Sequence, residues 1–170
     1  SRVSDAVLWE TVGDILELGA GSGRLALDVL LELERLERLP ERYRILEVSP
    51  DLRQRQQALI RERAGHLLER VAWLDTLPTG FTGLILGNEV LDALPVHLLH
   101  WRDGVVMERG VTWRAGGFAW EDRPLASGDA ARTALALPVE GDYVSEICPA
   151  ACALVSSLAD RLERGLMLFI

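Results

Sequence analysis

Positive charge is the first thing this 170-residue chain is short of: 18 basic side chains stand against 26 acidic ones, a formal charge of −8. A groove that tracks phosphates needs clustered lysine and arginine, so nucleic acid is not an expected partner. A cationic ligand or a basic peptide segment stays open. Cysteine is nearly absent as well. Cys148 and Cys152 are too few for a disulfide framework or a zinc site. Spaced four apart in a helical-looking stretch, they read as two small buried side chains on one helix face. No apolar run approaches the roughly 20 residues that span a bilayer, so membrane insertion is not expected. His66, His97 and His100 form no triad with a Ser or Cys motif and show no metal-ligand spacing, which leaves neither a covalent nucleophile nor a metal site. Aromatic residues make up only 6% of the chain. Trp73, Trp101, Trp113 and Trp120 fall mostly in strand-like runs and read as core or sheet-face packing, not as a substrate cage. A starting Met is missing too. The chain opens on Ser1, which leaves room for a targeting segment before it.

What is present suits one domain over residues 1–170, with nearly half the residues apolar. Gly13 to Leu18 is a short apolar run ending in glycines, a buried strand. Arg24 to Leu39 follows at helical spacing until Pro40. Tyr43 to Val48 reads as a second strand. Ser49 or Asp51 then caps a helix reaching about Ala64, with Pro50 in its first turn. Val71 to Leu74 and Leu84 to Leu86 are two more strands. Strands alternating with helices predict a doubly wound, mostly parallel α/β sheet. Between Val96 and residue 137 the texture changes. Turn signals at Asp103-Gly104 and Gly116-Gly117 predict an antiparallel β-hairpin insert. After Pro149 a helix is expected to about Arg164, ended by Gly165. Leu166 to Ile170 then reads as a buried strand beside the first one. A core strand at the chain's last residues suggests a piece of a larger domain. Its unpaired edge would favour a homodimer.

The densest signal is Glu17-Leu18-Gly19-Ala20-Gly21-Ser22-Gly23. Glycines at alternate positions between a strand and a helix allow a sharp turn and close backbone approach to a ligand. Gly21 to Ala26 even satisfies the G-x-G-x-x-A dinucleotide pattern. Electrostatics separates the alternatives. A dinucleotide would bring a pyrophosphate against Glu17, whereas S-adenosylmethionine brings a sulfonium and an ammonium. At an effective dielectric of about 20, opposite charges at roughly 4 Å gain about 4 kcal/mol before desolvation. The sign favours the methyl donor. Glu47, at the end of the second strand, is placed to accept from both ribose hydroxyls. Asp75, after the third strand, is a candidate for the adenine amino group, or simply an acid that starts a turn before Pro78.

Here the residues resemble a family. Glu17 to Gly23 is similar to the first motif of class I methyltransferases. Leu46-Glu47-Val48-Ser49-Pro50 with Gln56, Gly87 to Val96 (G-N-E-V-L-D-A-L-P-V), and Gly141 to Glu146 (G-D-Y-V-S-E) together resemble the MidA family. That group includes a mitochondrial complex I assembly methyltransferase and many bacterial relatives. Its members usually carry a segment before the first strand and continue past the last. By this resemblance the fold is incomplete at both ends. The resemblance implies S-adenosyl-L-methionine as cofactor and methylation of an arginine-containing protein. The expected compartment is the bacterial cytoplasm, or the mitochondrion where a targeting segment precedes.

Methyl transfer is an in-line displacement at a sulfonium carbon, with the nucleophile held at about 3–3.5 Å in a dry site. Asn88 and Glu89 end the fourth strand, at the carboxyl edge where such folds bind ligands. Asn88 offers an amide to cofactor or acceptor. Glu89 and Asp92 offer carboxylates, and Glu146 a further one from a distant loop. A carboxylate fork can localise the charge of a guanidinium on one nitrogen and leave the other more nucleophilic. Two other classes compete: a non-catalytic assembly factor using the insert to hold a partner, and a nucleotide-dependent oxidoreductase. The intact glycine loop with Glu47 disfavours the first, and Glu17 disfavours the second.

Overall fold

A computed structural model describes residues 13–170. Its residues form two compact units, residues 13–93 with Ser157–Ile170, and Leu94–Ser156.

The first unit is a five-stranded, wholly parallel sheet in the order β3-β2-β1-β4-β9. Its strands are β1 (Asp14–Leu18), β2 (Tyr43–Leu46), β3 (Val71–Leu74), β4 (Phe81–Gly87) and β9 (Leu162–Phe169). Helix α1 (Arg24–Arg35) connects β1 to β2, and α2 (Pro50–Ala64) with a 3₁₀ turn (Gly65–Arg70) connects β2 to β3. Ala26, Leu27, Leu30 and Leu33 give α1 one buried face. That face packs with Ile15, Tyr43, Ile45, Ile60 and Leu84 into the unit's core. α1 stops before Leu39, the end expected from the apolar spacing. Glu37 turns to φ 57, and the amides of Glu37 and Arg38 bond the carbonyls of Glu34 (2.9 Å) and Leu33 (2.8 Å). This two-bond closure satisfies the helix's last carbonyls without Pro40. At the start of α2, Ser49, not Asp51, is the cap. Its Oγ accepts from the Leu52 amide at 3.4 Å.

The second unit is an antiparallel sheet in the order β7-β6-β5-β8. It comprises β5 (His97–Arg102), β6 (Val105–Arg114), β7 (Gly117–Pro124) and β8 (Tyr143–Ile147), with α3 (Asp129–Ala136). Leu99, Trp101 and Ile147 form its core with Ala134 of α3. β8 and α3 were not anticipated from the sequence. The tight turns between β5, β6 and β7 were: the first lies at Asp103-Gly104 as expected, and the second at Ala115-Gly116, one residue before the expected Gly116-Gly117, which places Gly117 in β7.

Four expectations are corrected. Helix α4 (Pro149–Ala159) ends before Arg164, and Gly165 lies inside β9. The strand there needs that glycine. Gly165 faces Gly83 in register at φ 144, and a Cβ on it would sit 1.8 Å from the Gly83 carbonyl oxygen. β9 also pairs with β4, not with β1, because β2 and β4 already occupy both edges of β1. Cys152 is exposed, and Cys148 lies just before α4 with its thiol toward the Pro95 carbonyl (3.4 Å), so they are not a buried helix pair. Trp101 is core, but Trp113 and Trp120 are 63% exposed on the β6–β7 ribbon, where Trp113 packs edge-on against Phe118.

Candidate functional site

The carboxyl ends of the parallel strands carry most of the residues singled out above. Glu17 is the penultimate residue of β1 and the glycine loop follows that strand, Glu47 follows β2, Asp75 follows β3, and Asn88 and Glu89 follow β4. Ligands of open α/β sheets bind at this edge.

The loop is built by backbone conformation. Gly19, Gly21 and Gly23 all take positive φ. Gly23 at φ 79 begins α1, and a Cβ there would meet Gln56 side-chain and backbone atoms at 3.0–3.2 Å. A Cβ on Gly21 would meet nothing within 4 Å. A cavity of about 550 Å³ opens beside the loop, lined by Glu17, Gly19, Ala20, Gly21, Asn88 and Glu89 among others. That volume lies within the usual range for small-molecule sites, roughly 300–1,000 Å³.

Glu17 is only 2% exposed. Its Oε2 accepts from the Tyr43 hydroxyl at 2.6 Å. Burial pushes its carboxyl up to about 7, with the Tyr43 bond pulling the other way. Desolvation without a counter-charge has this effect on an acid. Burial also drives the Tyr43 hydroxyl upward, reinforced by Glu17 beside it.

Glu47 is buried, with Oε1 accepting from the Ser49 amide (2.9 Å) and Oε2 from Gln56 Nε2 (3.1 Å). The same Gln56 nitrogen donates to the Gly21 carbonyl at 2.9 Å, and Gln56 Oε1 accepts from the Trp73 indole at 2.9 Å. Gln56 therefore ties the glycine loop to the acid after β2. Asp75 is exposed and paired with Arg53 (2.9 Å), which also bonds the Glu47 and Leu74 carbonyls.

Glu89 adopts φ 54, and its amide donates to the Ile170 carbonyl at 2.8 Å. A hydrogen bond shared with Asp92 raises its carboxyl above the ordinary value. Both acids, with Phe169 and Ile170, line a second cavity of about 390 Å³. Glu89 lines both cavities. Glu146 lies in the other unit, exposed on β8 and paired with Leu98 across the sheet.

Tyr43 and Gln56 were given no role from the sequence. Gln56 carried a usable signal, a polar residue on the inward row of α2 with Ile60 and Ala64. Tyr43 carried none beyond its place at the head of a buried strand. Of the histidines, His100 is fully buried, bonded through Nδ1 to Asp122 (2.6 Å) and Nε2 to Asp142 (2.7 Å). Those bonds raise it; Asp122 is held below its usual range by Arg109 and then by His100, and Asp142 by His100 and then by Arg102. His100 links β5 to β7 and to the turn before β8. Among the described residues, no group of three His, Cys, Asp or Glu is arranged to hold a metal ion. No described helix is long and apolar enough to cross a membrane.

A parallel sheet flanked by helices, an antiparallel sheet in the same chain and a glycine loop at the carboxyl edge define a class I methyltransferase fold. Residues 6–170 match the family described as "Putative S-adenosyl-L-methionine-dependent methyltransferase", and the chain belongs to that family. An uncharacterised Burkholderia thailandensis protein of known crystal structure is 37% identical, at a TM-score of 0.86, over 99% of this chain and 46% of that one. A second B. thailandensis structure, bound to S-adenosyl-homocysteine, is 37% identical at a TM-score of 0.85, over 99% of this chain and 44% of that one. The chain thus spans less than half the length of these relatives. No curated protein matches it.

Proposed function

We propose that this chain binds S-adenosyl-L-methionine at the glycine loop and methylates an arginine side chain of a protein, as its resemblance to the MidA family implies. The observation that carries the proposal is Glu89, an acid common to the cavity beside the glycine loop and to a second cavity holding Asp92. The residues fit a cationic nucleoside: a buried acid without a counter-charge, a loop open at Gly21, and room for a ligand of that size. Gly19, Ala20, Gly21 and Gly23 would give close backbone approach, with Glu17 near the ligand's positive charge. Each Glu47 oxygen keeps a lone pair for a ribose hydroxyl, and Asp75 keeps acceptor capacity for the adenine amino group. The cofactor supplies a methyl group activated by positive sulfur.

The chain's own part is positioning. Asn88 orients the acceptor nitrogen, while Glu89 and Asp92 hold its positive charge to one side. Glu146 is left outside the proposal. Incubation with arginine-containing proteins and isotopically labelled S-adenosyl-L-methionine, read by peptide mass spectrometry, tests it. Label is expected on arginine, falling by about 100-fold or more in Glu89→Gln. Label confined to another residue type contradicts the arginine assignment.

A further inference from the structure

Glu17 lies near the end of β1 inside the sheet with a single neutral donor, the Tyr43 hydroxyl at 2.6 Å. A carboxylate offers about four acceptor sites, and a buried charge is costly unless paired. Among the described residues no cation is paired with it. The charged groups around the cavity do not supply one. Arg24 of α1 is taken by Asp28 at 3.0 Å. The loop after β4 contributes Glu89, itself bonded to Asp92. From β2 come Tyr43 and, beyond Gly21, Glu47 bonded to the neutral Gln56. Among the described residues nothing supplies the positive charge that a buried carboxylate calls for.

We propose that Glu17 keeps its proton while the cavity holds no cation and gives it up when a cationic nucleoside enters, coupling binding of the methyl donor to proton release. The carboxyl O–H bond breaks, the proton passes to solvent, and the carboxylate left behind faces the ligand's positive charge. Nothing is oxidised or reduced. The position of the carboxyl near 7 puts the coupling in the neutral range. This inference rests on the cofactor reading above. It goes further by making Glu17 the group that selects a charged donor over a neutral nucleoside.

The test is calorimetry of the full chain with S-adenosyl-L-methionine between pH 5 and 7.5, in buffers of different ionisation enthalpy. 5′-Methylthioadenosine, which lacks both positive charges, is the neutral comparison. Affinity for the cationic ligand should rise about tenfold per pH unit below the Glu17 midpoint and level off above it, with close to one proton released at the acid end. The neutral nucleoside should bind without either effect. Glu17→Gln keeps an acceptor for Tyr43 and should abolish the proton release. Tyr43→Phe removes the bond that lowers Glu17 and should move the rising limb to higher pH, a shift that a purely structural tyrosine would not produce. Donor affinity independent of pH overturns the inference, as does proton release that survives in Glu17→Gln and so belongs to Glu89. If neither nucleoside binds at any pH, the cofactor reading fails, and this inference with it.

Discussion

Glu17 and Gln56 show how single polar residues behave when the fold buries them. Gln56 satisfies both sides of its amide, reaching Gly21, Glu47 and Trp73. Glu17 satisfies one oxygen with one hydroxyl. That difference has a consequence for stability. Glu17 titrates near 7 in the fold against 4.5 ordinarily, so the folded state binds more protons between those values. Its contribution is fully present below 4.5 and is lost as pH rises through 7. Relative to Glu17→Gln, the native chain should lose up to about 3 kcal/mol between pH 4.5 and 8, measured by urea melts. A difference that stays flat, or grows with pH, contradicts the buried-acid account. The acids themselves were legible in the sequence because each stands at a strand end beside glycine or proline. Tyr43 and Gln56 were not. The partner of Tyr43 lies far along the chain and is brought to it by the parallel pairing of β1 with β2, whereas the inward place of Gln56 on α2 showed in the helical spacing but its partners in the glycine loop and β3 did not.

At the scale of elements, β4 is the strand on which the parallel sheet turns. Its Gly83 sits at φ 139, and a Cβ would fall 2.0 Å from the Asp14 carbonyl oxygen, while Gly165 presses on it from β9. The backbone clash cannot be relieved by moving a side chain. Gly83→Ala should therefore cost at least about 3 kcal/mol, or prevent folding. Gly110→Ala, in β6 with nothing within 4 Å, should be neutral or stabilising by up to about 1 kcal/mol. Thermal melts of both variants decide it, and equal melting would remove the close-approach account. The same contact explains why Gly165 misled as a helix end. Read along one strand, a glycine between charged and apolar runs is a stop signal; its actual cause is a neighbouring strand that sequence periodicity does not register. Helix α1 shows the reverse case, since Glu37 closes it through backbone bonds that glutamate does not advertise.

For the molecule as a whole, the division into a parallel and an antiparallel unit follows from two periodicities in one chain. Buried strands alternating with helices up to Gly87 were readable, as were the tight turns near residues 103 and 116. The order of the last strand was not, because an apolar run predicts burial without saying which edge the strand joins; at the edge of the sheet β9 is at most half-buried, and Ile170 is exposed. The acidic surplus likewise argued against a phosphate-tracking groove but left open whether the acids act as a site. Glu17, Glu89 and Asp92 now line two neighbouring hollows at one sheet edge. Family membership and this edge converge on a nucleoside cation as ligand. The most direct test is titration calorimetry of S-adenosyl-L-homocysteine into the native chain and into Gly21→Val, with circular dichroism as a check on folding. Because a Cβ at Gly21 meets no protein atom within 4 Å, a branched side chain there projects into the space assigned to the ligand. The account predicts binding by the native chain and none by a folded Gly21→Val; undiminished affinity in that variant would place the ligand elsewhere and contradict it.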